Sequence, residues 1–179
     1  MVDLVTLQTI SYIAGATSVV LGVIYYINNL REMKLNRRIT LTTSMMQPFM
    51  TTEGMSKFLN LTTMRWSNID DYRAKYDHRV NPQNFAERLS MWNLCENLGK
   101  LYREGLIDLD TLYGPGNQVG YLWIKFKPII EMYRGTEGYS EHQYENFQYL
   151  AERLNEYHKK RYKEDHRAKI ETYIKRNEF

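Results

Sequence analysis

One cysteine, four prolines and four histidines are all that this 179-residue chain holds of those types. The lone thiol, Cys95, rules out an internal disulfide and fits a reducing compartment. No C-x-x-C, H-E-x-x-H or E-x-x-H pattern occurs, so the zinc-ribbon, metalloprotease and di-iron bundle chemistries lack their ligand spacing. Charge of one sign is also missing. With 24 basic against 21 acidic residues the net charge is +3, too balanced for nucleic acid to be the main partner. No stretch of useful length alternates apolar and polar residues with period two, which argues against a sheet. Internal repeats and low-complexity tracts are absent as well.

What the chain does have is a long hydrophobic run at its start. Leu4 to Leu30 carries no charged side chain over 27 residues. As a helix it is about 40 Å long, enough to cross a hydrocarbon core of roughly 30 Å. Asp3 precedes it, whereas Arg31, Lys34, Arg37 and Arg38 follow at the headgroup plane, which places the N-terminus outside and the C-terminal part in the cytoplasm of a single-pass cell-membrane protein. Tyr25 and Tyr26 suit the same boundary, since each ring can lie in hydrocarbon with its hydroxyl among headgroups. A secretory signal peptide would start with a basic region and end in small residues at a cleavage site. The polar residues Thr6, Gln8, Thr9, Ser11, Thr17 and Ser18 would also be tolerated in a buried soluble helix. Ser11, Ala14, Ser18 and Gly22 form a small-residue stripe at helical spacing, which would let another membrane helix approach closely.

The remainder has ample apolar surface to bury: aromatic residues make up 13% of the chain, including 15 Tyr and 3 Trp, which argues against disorder. Nothing breaks the helix from Arg31 to about Met50, so the span should continue as a stalk. Thr51 or Thr52 can cap a short helix bearing Met55, Phe58, Leu59 and Thr62, and Ser67 or Asn68 can cap another over Ile69 to Tyr76. Asn81-Pro82 is a strong start for a central helix ending at Gly105, with Phe85, Leu89, Trp92, Leu98, Leu101 and Tyr102 on its apolar face. A further helix begins at Asp108 and is interrupted by Gly114-Pro115-Gly116. The next main helix, residues 117 to 134, aligns Val119, Leu122, Trp123, Phe126, Ile129, Ile130 and Tyr133, with a kink expected before Pro128. Ser140 and Gln143 match a capping box for a last helix over 140 to 157, whose face is Tyr144, Phe147, Leu150, Ala151 and Leu154. Beyond Tyr157 the run is highly charged, and Tyr162, Ile170, Tyr173 and Ile174 are its candidate partner-binding residues. It is either a solvated tail or a helix meant for a partner or headgroups.

No side chains assemble into a catalytic pattern. His142 with Glu145 is a single i, i+3 pair, and His78, His158 and His166 have no ligand spacing. Asp70 and Asp71 are explained by the positive end of a helix dipole, Glu87 and Glu96 are an isolated acidic pair, and Cys95 on an apolar face reads as core. Gly114, Gly116 and Gly120 lack both the spacing and the preceding strand of a phosphate cradle. No cofactor is expected.

Three segments carry a resemblance: NLCENLGKLYREGLIDLDTLYG (residues 93–114), LWIKFKPIIEMYR (122–134) and FQYLAERL (147–154), behind one N-terminal span and a basic LNRR segment. The chain resembles a family of uncharacterised single-span membrane proteins of bacteria and archaea known only as a domain of unknown function. The likeness covers about residues 4 to 155. It implies a fold and supplies no catalytic residue. The expected architecture is all-α: a transmembrane helix (1–30), a juxtamembrane stalk (31–50), a cytoplasmic helical bundle (51–157) and a charged helical tail (158–179). The expected role is a non-catalytic accessory or scaffold subunit of an integral-membrane complex, its partners being the bilayer and other membrane subunits or a second copy of itself. The alternative is a membrane-anchored sensor or regulator whose helical domain binds a small molecule or protein, favoured by a pocket near Trp92 and Trp123.

Overall fold

The computed structural model describes residues 3–112, 117–136 and 138–176. Among them the chain is all-α: α1 (Leu4–Met50), α2 (Thr52–Thr63), α3 (Ile69–Tyr76), α4 (Pro82–Arg103), α5 (Leu109–Leu112), α6 (Asn117–Tyr133), α7 (Glu145–Tyr162) and α8 (His166–Arg176). The Gly114-Pro115-Gly116 turn lies outside the described residues.

Two compact units divide the chain, residues 1–40 and 41–179. The first is helical, and none of its apolar stretch is covered by the chain itself. The second takes over the last turns of α1, where Thr42, Met46 and Phe49 are buried at spacings of four and three. Its boundary therefore falls ten residues earlier than a stalk ending at Met50 would put it, because Met46 and Phe49 join the hydrophobic core.

Helix starts in the body follow local capping chemistry. Thr51 Oγ1 accepts from the Gly54 amide at 3.0 Å, Asn68 Oδ1 from Asp71 at 2.9 Å and Asn81 Oδ1 from Asn84 at 3.1 Å. Asp108 does the same for the single turn of α5, accepting from Thr111 at 2.8 Å. Each bond satisfies one of the amides a helix N-terminus leaves free. α4 ends as Gly105 turns left-handed at φ +69°.

The start of α7 corrects the expected capping box. Ser140 Oγ accepts from His142 in a turn, and α7 begins at Glu145 behind a left-handed Tyr144 that makes no side-chain cap. The cap comes from α4 instead: Glu96 accepts from the Phe147 amide at 2.8 Å and from Asn146 Nδ2 at 2.7 Å. A carboxylate at that position also meets the positive end of the helix dipole. It sits within the largest helix-to-helix interface of the body, α4 on α7. There Gly99 allows the two helices to come together, since a Cβ on it would overlap the carbonyl of Asn146. α7 then runs past residue 157 to Tyr162, and α8 folds back onto α6 and α7. The core gathers Trp92, Cys95, Leu98, Leu122, Phe126, Ile129, Phe147 and Leu150, all essentially sealed from solvent.

Candidate functional site

Along the first unit, Ser11, Ala14, Ser18 and Gly22 are exposed. A Cβ at Gly22 would meet nothing within 4 Å. The Ser11 and Ser18 hydroxyls donate to the carbonyls of Leu7 (3.0 Å) and Ala14 (2.8 Å), and Thr9 and Thr17 bond back in the same way. Their protons are thus satisfied inside the helix, which leaves oxygen lone pairs for a neighbour. Large apolar residues surround the stripe: Leu4, Val19, Leu21 and Ile24 are each at least half exposed. Arg31, Lys34 and Arg37 are exposed in the following turns, and Arg38 is half-buried.

The interior of the body holds two cations. Arg88 is 0% exposed, yet faces no carboxylate at bonding distance among the described residues. Its guanidinium donates to the Tyr76 carbonyl at 3.4 Å and to Asn84 Oδ1 at 3.2 Å. The rings of Tyr72, Phe85 and Trp92 enclose it, with centroids 5.1, 5.1 and 5.4 Å from Cζ. Ring faces are negative, so three of them replace part of the hydration that burial removes. Lys125 is 4% exposed and donates to the carbonyls of Thr62 (2.8 Å) and Met64 (2.9 Å), closing the C-terminal end of α2, with its ammonium 5.0 Å from the Trp66 ring centre. Burial pushes the Tyr72 phenol well above its ordinary range, and the Arg88 charge opposes that rise. Among the described residues, the Tyr72 hydroxyl, Arg88 Nε and Trp92 Nε1 are buried without a hydrogen-bond partner.

A cavity of about 250 Å³ opens between α6, α7 and α8. Trp123, Ile124, Leu154 and Ile170 supply its apolar wall, and Glu152 and Glu156 stand at its rim. Of the two tryptophans expected to mark a pocket, Trp123 lines this one, whereas Trp92 is enclosed in the core against Phe126 and Tyr144. The four tail residues separate in the same way. Ile170 and Ile174 are buried at 7% and 8% exposure, while Tyr162 and Tyr173 remain open at 46% and 58%. The tail is therefore docked on the body, and its apolar pair is already in use.

No group of three or more His, Cys, Asp or Glu is placed to hold a metal among the described residues. His158 and His166 stack at 4.5 Å, with His158 Nδ1 3.3 Å from the Glu164 carbonyl. Desolvation, and then the His158 charge, hold the His166 imidazole below its ordinary value. Asp71 accepts from Ser67 and Lys75, and chiefly the Lys75 bond lowers its carboxyl. Cys95 is sealed in the core, where burial pushes its thiol up and keeps it protonated and unreactive. Sequence reasoning missed Arg88 and Lys125, although both sit on the apolar stripes of their helices, beside Phe85 and Trp92 and beside Leu122 and Ile129.

An uncovered apolar helix joined to a helical body with a cation-bearing aromatic core defines an all-α protein with one helix suited by length and composition to cross a membrane. Residues 12–154 match the family described as "Domain of unknown function (DUF4760)", and the chain belongs to that family. No curated protein and no solved structure matches it.

Proposed function

We propose that this protein is a non-catalytic accessory or scaffold subunit of an integral-membrane complex, anchored by Leu4 to Leu30 with its N-terminus outside and its helical body in the cytoplasm. The observation that carries this reading is the first unit: an uncharged helix of spanning length that nothing in the chain covers. In water such a surface is far larger than the apolar patches soluble monomers expose. In a bilayer it is solvated by lipid, and the Ser11 to Gly22 stripe is the face on which a second helix can come closest. The cations that follow, Arg31, Lys34, Arg37 and Arg38, favour the cytoplasmic side.

Extraction of the tagged full chain into nanodiscs, followed by particle sizing and mass spectrometry, tests the reading. Stoichiometric integral-membrane partners are expected. Recovery of a lone protomer or a homo-oligomer would overturn it. The cavity beside Trp123 favours a second reading, a membrane-anchored sensor of a small molecule, and a bound metabolite in the same particle would support that one instead.

A further inference from the structure

We propose that the cavity between α6, α7 and α8 is a binding site for a small organic ammonium ion with an apolar body, held by Glu152 against Trp123. This deepens the sensor reading by giving the ligand's chemistry, and it rests on that reading.

The walls fix the apolar half of the ligand. Trp123, Ala151, Leu154 and Ile170, between 4% and 7% exposed, close the cavity together with Ile124. Such walls offer water few of the two to four polar partners that hold a buried water in place. They suit a hydrocarbon chain or a ring instead, and the indole gives an aromatic ring a surface to stack on. At about 250 Å³ the space falls below the roughly 300–1,000 Å³ of drug-sized ligand sites, so the occupant is small.

The sign of the polar end follows from the lining side chains that can carry charge: Glu152, Glu156, His166 and Arg167. Two of them are already neutralised. Arg153 Nη1 donates to Glu156 at 2.6 Å, and Arg167 Nε donates to Glu171 at 2.8 Å. His166 stacks on His158 at 4.5 Å, where desolvation holds its imidazole below the ordinary value and so uncharged at neutrality. Glu152 is left. Its Oε1 accepts from the neutral Gln148 amide at 3.0 Å, and Gln148 Oε1 accepts from Arg134 at 3.0 Å. This relay holds the carboxylate in place, while Oε2 makes no bond and Glu152 joins no ion pair among the described residues. The first amides of α8, which would favour an anion, are closed: the Arg167 amide donates to Asn155 Oδ1 and the Ala168 amide to Asp165 Oδ1, both at 3.1 Å. A carboxylate without an ion-pair partner beside an indole ring recognises an ammonium ion twice, by its charge and by the negative ring face.

The test titrates the full chain in nanodiscs with phenethylamine, read by tryptophan fluorescence, with 2-phenylethanol and 3-phenylpropionate as its neutral and anionic counterparts. Saturable binding of the amine at about millimolar or tighter is expected. The alcohol should bind about fivefold or more weakly, and the carboxylate not at all. Glu152→Gln should lower the affinity for the amine by about fivefold or more and leave that for the alcohol unchanged, a split that lost packing would not produce. Glu152 is exposed and the change keeps its volume, so this variant retains the fold. Gly120→Phe, at a cavity position where a Cβ meets nothing within 4 Å, should abolish binding of both, which separates the site from partition into lipid. Alcohol or carboxylate binding as tightly as the amine, and lost in Gly120→Phe, would overturn the proposal and leave the small-molecule reading standing. An amine affinity unmoved by Glu152→Gln, or no saturable binding of the amine, would overturn the proposal as well. The small-molecule reading is decided separately, by the metabolite content of the purified particle.

Discussion

Replacing Gly99 by alanine tests the close approach of α4 and α7. In an isolated helix the change is favourable by about 1 kcal/mol, since glycine loses more backbone freedom. Here the new methyl would overlap the Asn146 carbonyl, a backbone group that cannot rotate away. Relief requires α7 to retreat from α4 by roughly 1.5 Å, because the new carbon would lie 2.0 Å from the Asn146 oxygen and carbon and oxygen need about 3.5 Å between centres. Overpacking of this kind costs about 1–3 kcal/mol. The same retreat stretches the Glu96 bonds to the Phe147 amide (2.8 Å) and Asn146 Nδ2 (2.7 Å), and losing a bond to a charged group costs about 1.5–3 kcal/mol. The balance is a net loss of about 1.5–5 kcal/mol. At about 2–4 °C per kcal/mol for a chain of this size, the melting point should fall by about 3–20 °C. Tryptophan fluorescence suits the assay because Trp66, Trp92 and Trp123 all belong to the body. Gly120→Ala is the control: it is the same substitution in a helix, at a site where a Cβ meets nothing within 4 Å. Its melting point should hold or rise by a few degrees. If Gly99→Ala melts at or above the unmodified chain, the account of the α4–α7 contact is wrong.

Three further outcomes are expected. Tyr72→Phe removes a buried hydroxyl that has no partner among the described residues, so stability in the same melt should stay level or rise by up to about 1 kcal/mol, whereas a loss of about 1 kcal/mol or more would reveal an acceptor for that hydroxyl. His166 is held below its ordinary value in the docked tail. The undocked state therefore takes up the proton first, and α8 docking should weaken as pH falls below about 6.5. Lys169 and His158 add to that effect and Glu164 opposes it. Hydrogen exchange of α8 at pH 7.5 and 5.5, corrected for intrinsic rates, should show protection lost at the lower value and retained in His166→Gln. Cys95 should react with a maleimide only as fast as the core opens, so its labelling rate should rise with urea in step with the fluorescence transition.

What the sequence made legible was local. Thr51, Asn68 and Asn81 cap amides three residues away, so side chain and backbone appear together in one short window. The same holds for the apolar faces of α4 and α6, which periodicity brings out directly. The cap of α7 was not legible, because Glu96 lies 51 residues before the Phe147 amide it meets. A local capping box was expected in its place. Arg88 and Lys125 went unremarked, since a cation on an apolar stripe ordinarily reaches out to water. Their acceptors, the carbonyls of Tyr76, Thr62 and Met64, leave no mark in a sequence. The pair Ile170 and Ile174 was visible as an apolar couple in a charged run, but its seat on α6 lies about 45 residues upstream and emerges only from the fold.

Cations held by ring faces and carbonyls have a bearing on acid tolerance. Acid unfolding is driven mainly by carboxylates that must lose their charge when the native state needs them ionised. Among the described residues the buried polar and charged set is Thr42, Arg88, Lys125 and His158, with no carboxylate in it. The counter-groups of Arg88, which are the rings of Tyr72, Phe85 and Trp92, the Asn84 amide oxygen and the Tyr76 carbonyl, do not take up protons between neutrality and pH 3. Acid should therefore soften the periphery first, where His166 holds the docked tail, while the aromatic centre stays assembled around the Arg88 charge.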